Sequence, residues 1–224
     1  MNYAELVSAI KGYAENDFPT TAGSFTSTNQ LNTFIDQAEQ RIYNSIQFPA
    51  IRKNVTGTTT SGNKYLAAPA DFLASYSLAA IDGDGNYEYL LNKDVNFIRA
   101  AYPSPTDSGT PAYYALFDEN TFILGPTPNA NYTMELHYYY YPTSIVTAGT
   151  SWLGDNFDSV LLYGALLEAA AFMKSDVDTM KNYMERYNEA LLLAKRLGDG
   201  MDRSDAYRSG QFRMPNLPQN SGVR

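Results

Sequence analysis

The chain has 224 residues, no cysteine and a formal net charge of −8, from 16 basic and 24 acidic side chains. The absence of cysteine excludes a disulfide-stapled scaffold and thiolate metal sites, and the acidic balance argues against a broad grip on nucleic-acid phosphates. No apolar run approaches the ~20 residues that cross a bilayer, so we expect no membrane contact.

Two amphipathic helices are predicted near the N-terminus. The first runs from Tyr3 to about Glu15 behind a cap at Asn2, and its polar, acidic sequence does not fit a signal peptide. Ser27 with Gln30 forms a capping-box pattern that starts a second helix of roughly five turns, which Pro49 ends. The apolar side of this second helix carries Leu31, Phe34, Ile35, Ala38, Ile42 and Ile46.

The hydrophobic period changes to two in the middle third of the chain, from Arg52 to about Thr147, which predicts strands. We expect a first hairpin within residues 54–69 and a second that turns at Asp82–Asn86. Residues 95–103 are predicted to form a short helix or a loop.

Two further strands are predicted as a hairpin that turns at Asp118, Glu119 and Asn120. The last strand of this region, residues 132–141, alternates so that aromatic side chains lie on both of its faces. The middle third is therefore expected to be an antiparallel sheet or small sandwich.

The longest helical signal runs from Asp155 to Leu197 and predicts two helices rather than one. Asp155 is the expected cap of the first, and Ser175 marks a second that starts near Lys174. The second helix should pack through one stripe at spacings of three and four, and the glycines at 198 and 200 should end it. The helix-packing stripe consists of Val177, Met180, Met184, Tyr187, Leu191 and Ala194.

The segment Asp199–Arg224 is rich in Gly, Pro, Asn, Gln and Ser, and after Asp205 arginine supplies its only charges. Such a composition cannot build a core, so we expect either a frayed end or an extended arm that anchors on a partner. The residues of the arm with the chemistry of partner anchors are Tyr207, Arg208, Phe212, Arg213 and Met214.

These elements predict an α+β protein. Residues 1–51 and 151–198 would form one helical bundle, residues 52–150 an inserted antiparallel β domain, and residues 199–224 an extended C-terminal arm.

Candidate chemistry is sparse. The single histidine, His137, lies in a tyrosine-rich strand without a nucleophile motif, so we interpret it as a packing or surface residue. Asp82–Asn86 resembles the start of a calcium loop, but Tyr87 stands where that loop needs glycine and Lys93 where it needs glutamate. We therefore expect no enzyme activity, no cofactor and no bound metal.

Several strings in order resemble the head-tail adaptor, or connector, proteins of short-tailed bacteriophages. They are Tyr65-Leu66, Pro69-Ala70-Asp71-Phe72-Leu73, Gly109-Thr110-Pro111-Ala112-Tyr113, Ile123-Leu124-Gly125-Pro126-Thr127-Pro128 and Tyr132-Thr133-Met134-Glu135-Leu136-His137-Tyr138-Tyr139. Each string alone is moderately specific, and their order along the whole chain carries the resemblance.

The resemblance implies a structural virion protein at the head-tail junction, assembled in the host cytoplasm. It implies a ring of about twelve copies between the portal protein and the tail nozzle protein, with DNA passing through the lumen during ejection. It also implies that the C-terminal arm reaches the portal, and members differ in how they contact tail fibres.

A second function remains open. The 19 tyrosines and 11 phenylalanines suit extensive protein contacts, but they suit a tyrosine-rich core equally well. The alternative is a tyrosine-rich β module that binds carbohydrate or peptide in a tail fibre or tip.

Overall fold

The computed structural model describes residues 1–19, 25–46, 48–104 and 106–202. It divides into two compact units. The helical unit comprises Met1–Pro49 and the described part of Ser144–Arg224, and the β unit comprises Ala50–Thr143. The α+β class predicted from the sequence is confirmed.

Helices and strands alternate in blocks along the chain. The helices are α1 Tyr3–Ala14, α2 Ser27–Ser45, α3 Val95–Ala101, α4 Ile145–Ala148, α5 Trp152–Asn156, α6 Asp158–Met173 and α7 Val177–Asp202, with a 3₁₀ turn at Pro49–Ile51. The strands are β1 Arg52–Thr58, β2 Tyr65–Ala67, β3 Ala74–Ile81, β4 Tyr87–Tyr89, β5 Leu91–Asn92, β6 Ser108–Gly109, β7 Tyr113–Asp118, β8 Thr121–Gly125, β9 Thr127–Pro128 and β10 Thr133–Tyr139.

Helix α6 lies at the centre of the helical unit and contacts α1, α2 and α7. Its sequence is apolar on most sides, which suits a helix covered by several neighbours. Phe172, in the last turn of α6, is 43% exposed and contacts the Phe34 ring. The buried residues of α6 are Val160, Leu161, Leu162, Gly164, Ala165, Leu166, Leu167, Ala169 and Ala170.

Helices α2, α6 and α7 come close together at Gly164. A Cβ added there would lie 3.2 Å from Ala38 Cβ on α2 and 3.3 Å from Tyr187 Cε2 on α7. Arg41 of α2 forms an ion pair with Glu168 one turn further along α6. Glycine at this position therefore lets two neighbours pack onto one side of α6 without a gap.

The N-terminal caps agree with the sequence in one case and differ in another. Asn2 caps α1 in a capping box with Glu5, as predicted. Helix α2 is capped by Thr26, whose hydroxyl accepts from the Asn29 amide, and not by Ser27. Gln30 instead points inward, and its side-chain amide donates to the Phe25 carbonyl. It therefore bonds the loop before α2 and does not take part in capping the helix.

The break between α6 and α7 lies where it was predicted, but its caps differ. Lys174 ends α6 in the left-handed conformation, and Asp176, not Ser175, caps α7 by accepting from the Thr179 amide and hydroxyl. These bonds lower the pKa of Asp176. Asp155 lies inside α5 rather than at the cap of α6, because α5 is a separate short helix that begins after Ser151.

Helix α4 is attached to α2 through a buried carboxylate. Glu39 is 3% exposed, and its Oε1 accepts from the Ile145 amide at 3.1 Å. Burial raises the pKa of Glu39, against the opposing hydrogen bond from Ser144. This anchoring explains why Ser144 and the residues up to 150, which the sequence pattern put in the β domain, belong to the helical unit.

Helix α7 is longer than predicted. It continues through the glycines at 198 and 200 as far as Asp202, the last described residue. Glycine lowers helix stability by about 1 kcal/mol relative to alanine, but it ends a helix only where the chain turns into a left-handed cap. Residues 199–202, which the sequence assigned to the arm, therefore belong to α7.

Two four-stranded sheets form a sandwich in the β unit. The first has the order β1-β10-β3-β4 and is antiparallel throughout, and the second has the order β2-β8-β7-β5. Strand β5 pairs parallel to β7, and β6 pairs parallel to β9 in a small third sheet. The expected antiparallel sandwich is therefore confirmed, and these two short pairs are its parallel exceptions among the described strands.

The core of the β unit lies between the two sheets. Both inner faces contribute to it, as expected for a sandwich about 10 Å thick. The buried cluster consists of Leu78, Ala80, Leu90, Tyr114, Phe122, Leu124, Met134, Leu136 and Tyr138.

Helix α3 covers the outer face of the second sheet. Ile98 packs against Ala115 of β7 and Ile123 of β8. A Cβ added at Gly125 would lie only 2.9 Å from both Ile98 Cγ2 and Tyr102 Cδ2, so the glycine permits the close approach of helix and strand. The outer face of the first sheet has no corresponding helix within the β unit's described residues.

Local hairpins were predicted correctly, and one pairing was not. β3 and β4 join at Asp82–Asn86, and β7 and β8 join at residues 119–120. The predicted hairpin within residues 54–69 is wrong, because β1 pairs with β10 and β2 pairs with β8 in the other sheet. Strands β1 and β2 therefore belong to different sheets of the sandwich.

Candidate interaction surfaces

The outer face of the first sheet carries an aromatic cluster. Along β10, residues with odd numbers point away from the core, and on this face the Tyr76 ring lies 4.9 Å from His137 and 6.0 Å from Tyr139. The Arg52 guanidinium lies 4.9 Å from the Tyr76 centroid. Tyr76 itself is 53% exposed. The cation and the rings therefore form one polar-aromatic surface.

A second pair of rings lies on the neighbouring edge strand. Tyr87 and Tyr89 of β4 stack with centroids 6.3 Å apart, and both are largely exposed. The Tyr87 hydroxyl donates to Glu135 Oε2 at 3.1 Å, and this hydrogen bond raises the pKa of Tyr87. Glu135 thus connects the edge strand to the centre of the sheet.

We call this surface the aromatic face and define it as Arg52, Tyr76, Tyr87, Tyr89, Glu135, His137 and Tyr139. Tyrosine and arginine, which make up most of this face, are among the residue types that are enriched at protein interfaces. Such a surface can bind by stacking and hydrogen bonding. It offers no paired general acid and base.

Helix α7 exposes apolar side chains on both sides of its buried stripe. An α-helix turns about 100° per residue, so Val177 and Met184 share one side, whereas Leu193 and Leu197 lie on nearly the opposite one. Val177 is 79% exposed and Leu193 58%. We call these two pairs the apolar sides of α7. Exposed apolar rows on a helix commonly mark contact with another protein.

The predicted helix-packing stripe is only partly buried within the chain. Tyr187 and Ala194 are buried, and Met180 and Leu191 are half-buried. Val177 and Met184 are exposed, which corrects the stripe, because the side of α7 that meets α6 is centred on Tyr187 and Ala194. The half-buried Tyr183, which the pattern omitted, joins it and donates to the Tyr13 carbonyl.

The predicted arm residues lie outside the described part of the chain. Tyr207, Arg208, Phe212, Arg213 and Met214 all follow Asp202, the last described residue. Their role stays a prediction.

An apolar groove lies beside the edge strand β1, at one edge of the sandwich. Val55 of β1 points to the inner side yet is 38% exposed, and Leu66 of β2 lies across from it. Between them lies an apolar groove of about 240 Å³. We call it the edge groove; its floor consists of Leu78, Phe122, Met134 and Leu136.

The acidic turn at Asp82–Asn86 is a hairpin turn. Asp82 Oδ1 accepts from the amides of Asp84 and Asn86, and Oδ2 accepts from the Asn86 side chain. These bonds, led by the one from the Asn86 side chain, lower the pKa of Asp82. The carboxylate is thus occupied by its own loop, and across the described ranges no three metal-binding side chains come together.

His137 lies on the aromatic face with its ring against that of Tyr76. Within residues 1–202, where described, no helix is long and apolar enough to span a bilayer.

Sequence reasoning found part of these surfaces. The alternation of β10 indicated aromatic side chains on both faces, which placed His137 and Tyr139 correctly. It missed Tyr76 and the Tyr87–Tyr89 pair, although the alternation Tyr-Glu-Tyr on a short strand was an available signal. The edge groove could not be found, because it depends on which strands pair.

Two comparisons with known proteins bear on this chain. A protein-family model described as SU10 adaptor protein matches residues 1–215. No curated protein matches the sequence. The family match covers the helical unit, the β unit and most of the residues after α7.

Proposed function

The chain belongs to the SU10 adaptor protein family, and from that membership we propose that it forms a ring of about twelve copies between the portal and the tail nozzle. It is thus a phage adaptor with a structural role, a virion component that interacts with other head or tail proteins. The match over residues 1–215 is the observation that carries the proposal.

The surface of α7 supports ring formation. A closed ring needs a heterologous interface, in which each copy offers two different surfaces to its two neighbours. The two apolar sides of α7 meet this requirement, because they face different directions and are unequal in sequence. Burial of such side chains against neighbours would contribute about 1.5–3 kcal/mol for each large residue fully covered.

The acidic balance supports a passage for DNA. The net charge of −8 would repel phosphates wherever acidic side chains face the lumen, so DNA would pass without displacing counterions or sticking. DNA is then a cargo of the ring and not a ligand.

Contact with the portal is proposed for the segment after α7. Tyr207, Phe212 and Met214 have the chemistry to enter grooves on the portal, and Arg208 and Arg213 to pair with acidic groups there. A ring of arms would bind with an avidity far above that of a single arm. Assembly would take place in the host cytoplasm, and contacts with the tail nozzle and with tail fibres would use other surfaces.

Sedimentation with purified portal rings tests the proposal. The full chain should co-sediment with the portal, and native mass spectrometry of that fraction should give a single closed stoichiometry near twelve. A chain that stops at Asp205 should keep its helix content but stay in the supernatant. An isolated monomer in the presence of excess portal would contradict the ring.

The aromatic face favours a second function, binding of carbohydrate or peptide by a tail fibre or tip module. Tyr76, Tyr87 and Tyr89 expose their rings beside Arg52 and Glu135, an arrangement that can stack on a sugar ring and bond its hydroxyls. A glycan or peptide that protects these tyrosines from chemical modification, on a protein that stays monomeric with the portal, would favour this function.

A further inference from the structure

The two edges of the β sandwich differ. The sheet orders place β1 and β2 at one edge, with the edge groove between them, and β4 and β5 at the other. Only Leu90 separates β4 from β5, and its buried side chain joins the core between the sheets. We call the first edge the groove edge and the second the ridge edge. The ridge edge is closed by its own chain, whereas the groove edge is open.

The ridge edge presents large side chains to solvent. Tyr89 and Leu91, which flank Leu90, are 65% and 59% exposed. Tyr87, two residues before Tyr89, is exposed as well. Such a row of exposed aromatic and aliphatic side chains is typical of a surface that another protein covers.

The groove edge offers a space of matching character. A Cβ added at Gly57 would meet no atom within 4 Å, so the lip formed by β1 is open. The groove holds about 240 Å³, which corresponds to roughly eight waters at ~30 Å³ each and leaves room for more than one large side chain. Phe122 and Met134 on its floor are almost fully buried, so the groove reaches the core of the sandwich.

The backbone of β1 points partly away from its own sheet. Thr59 N donates to Tyr132 O at 2.9 Å, and an antiparallel ladder bonds every second residue, so the positions of β1 bonded to β10 are the odd-numbered ones. The N–H and C=O groups of Asn54 and Thr56 are therefore directed toward the groove edge.

The backbone of β4 has the same property. Leu90 N donates to Leu78 O at 2.9 Å, so the positions of β4 bonded to β3 are the even-numbered ones. The backbone groups of Tyr87 and Tyr89 are therefore directed away from β3, along the ridge edge. Each edge can thus pair with one more strand from another chain.

The two edges carry opposite charge. Residues 50–73, which include β1 and β2, hold three basic side chains and one acidic one, Asp71, which forms an ion pair with Lys53. Residues 74–92, which include β4 and β5, hold three acidic side chains and no basic one. The charged residues are Arg52, Lys53, Lys64 and Asp71 in the first range and Asp82, Asp84 and Glu88 in the second.

This difference in charge selects the partner of the groove edge. If two identical edges met, like charges would face each other, which costs free energy. If the ridge edge of one copy met the groove edge of another, acidic side chains would face basic ones. This attraction would act against the general repulsion between copies of net charge −8. The partner that complements the groove edge is therefore a second copy of this chain.

We propose that the ridge edge of one copy docks on the groove edge of the next. Strand β4 lies beside the neighbour's β1 and β5 beside the neighbour's β2, so both sheets continue from one copy into the next. Tyr89 and Leu91 cover the mouth of the edge groove. The two surfaces are different, so the contact is heterologous and can repeat from copy to copy.

This inference rests on the proposed function for the closure of the ring, to which it adds a contact between neighbouring β units. The contact itself requires two copies only. A docked neighbour would also cover Tyr87 and Tyr89 of the aromatic face, so docking and glycan binding by these two rings exclude each other.

Cross-linking between two single-cysteine chains tests the contact, both in free protein and in the fraction that sediments with purified portal rings. The chain has no cysteine of its own, so Ala67→Cys marks the groove edge and Asn92→Cys the ridge edge. An equimolar mixture is treated with a short bismaleimide, and peptide mass spectrometry identifies the linked positions. We expect links between positions 67 and 92 in several-fold excess over links between identical positions.

A third position provides the matched control. Ala100→Cys replaces Asn92→Cys in the mixture; it is exposed on α3, which covers a sheet face and neither edge. This mixture should give little product between positions 67 and 100. Equal yields for positions 92 and 100, or links mainly between identical positions, would overturn the proposal.

The outcome is separable from that of the ring itself. A closed stoichiometry near twelve on the portal without links between positions 67 and 92 would refute this contact and leave the ring. The same links in a species that does not close would refute the ring and leave the contact. A chain that stays monomeric and unlinked would contradict both.

Filling the groove from its own chain provides a second readout. Gly57→Leu in the chain with Ala67→Cys should lower the yield of links to position 92 several-fold, because the added side chain would occupy the mouth of the groove. Gly12→Leu on α1 is the matched control, since a Cβ there also meets no atom within 4 Å. Leu91→Ser in the chain with Asn92→Cys should lower the yield as well. Circular dichroism verifies that each variant is folded, and an unchanged yield with both Gly57→Leu and Leu91→Ser would refute docking at this groove.

Discussion

Replacing Tyr187 by phenylalanine should stabilise the helical unit. The Tyr187 side chain is 4% exposed, and its hydroxyl finds no hydrogen-bond partner within the described residues. Protein mutational data put the cost of burying an unbonded hydroxyl at about 1–3 kcal/mol. The same burial raises the pKa of this tyrosine. The change removes one oxygen and keeps the ring, so we expect a gain of about 1 kcal/mol or more in unfolding free energy.

Replacing Tyr187 by alanine should have the opposite effect. The ring fills the space beside Gly164, where α7 packs on α6. Deleting a buried aromatic side chain typically costs about 3–5 kcal/mol, because a cavity remains. Met184→Ala is the matched control one turn earlier on the same helix; its side chain is 46% exposed, so the change should stay within about 0.5 kcal/mol.

Urea unfolding followed by circular dichroism at the helix band measures the unfolding free energy of all three variants. In a thermal scan, each 1 kcal/mol should shift the melting temperature by roughly 2–4 °C. A loss of stability on Tyr187→Phe comparable to that on Tyr187→Ala would show that the hydroxyl makes a bond. Equally small effects of Tyr187→Ala and Met184→Ala would show that the buried side of α7 is elsewhere.

Three further outcomes follow from the helical unit. Burial raises the folded pKa of Glu39 above 4.5, so the stability that its protonated form contributes is complete below that pH and is lost as the pH rises through the folded pKa. The stability of Glu39→Gln relative to the native chain, measured by urea unfolding, should therefore increase as the pH rises from 4.5 through that folded pKa. Ala194→Asp should cost several kcal/mol in the same assay, because its site is fully buried, and Lys181→Ala should cost little. Gly164→Leu should prevent α2 and α7 from packing on α6, which loss of the cooperative thermal transition would reveal.

The elements set by local sequence were predictable. Asn2 caps α1 because its side chain and that of Glu5 satisfy each other's backbone partners within four residues. The β3–β4 and β7–β8 hairpins follow from turn residues between alternating runs. Each depends on contacts within a short stretch, where spacing and turn chemistry carry the information.

Long-range pairing was not predictable from the same signals. Alternation along residues 52–58 indicates a strand but not its partner, and β10, which pairs with it, lies some seventy-five residues later in the chain. The parallel pairing of β5 with β7 likewise depends on where α3 packs. The edge groove exists because β1 and β2 belong to different sheets, so it could not be predicted from the sequence.

The packing stripe of α7 shows the same limit within a helix. Spacings of three and four from Val177 to Ala194 describe a stripe but do not fix which side faces α6. Because Tyr187 packs against Gly164, the buried side of α7 is centred on Tyr187, and Met184 is exposed to solvent. The exposed residues that result are the ones proposed to contact neighbouring copies.

Electron cryomicroscopy of the head-tail junction in intact virions would test the adaptor role most directly. We expect the fold of this chain, with its helical unit and β sandwich, as a closed ring of about twelve copies between the portal and the tail nozzle. In that map the apolar sides of α7 should be covered by neighbouring copies. Density for this fold at a fibre tip, or its absence from the junction, would contradict the account.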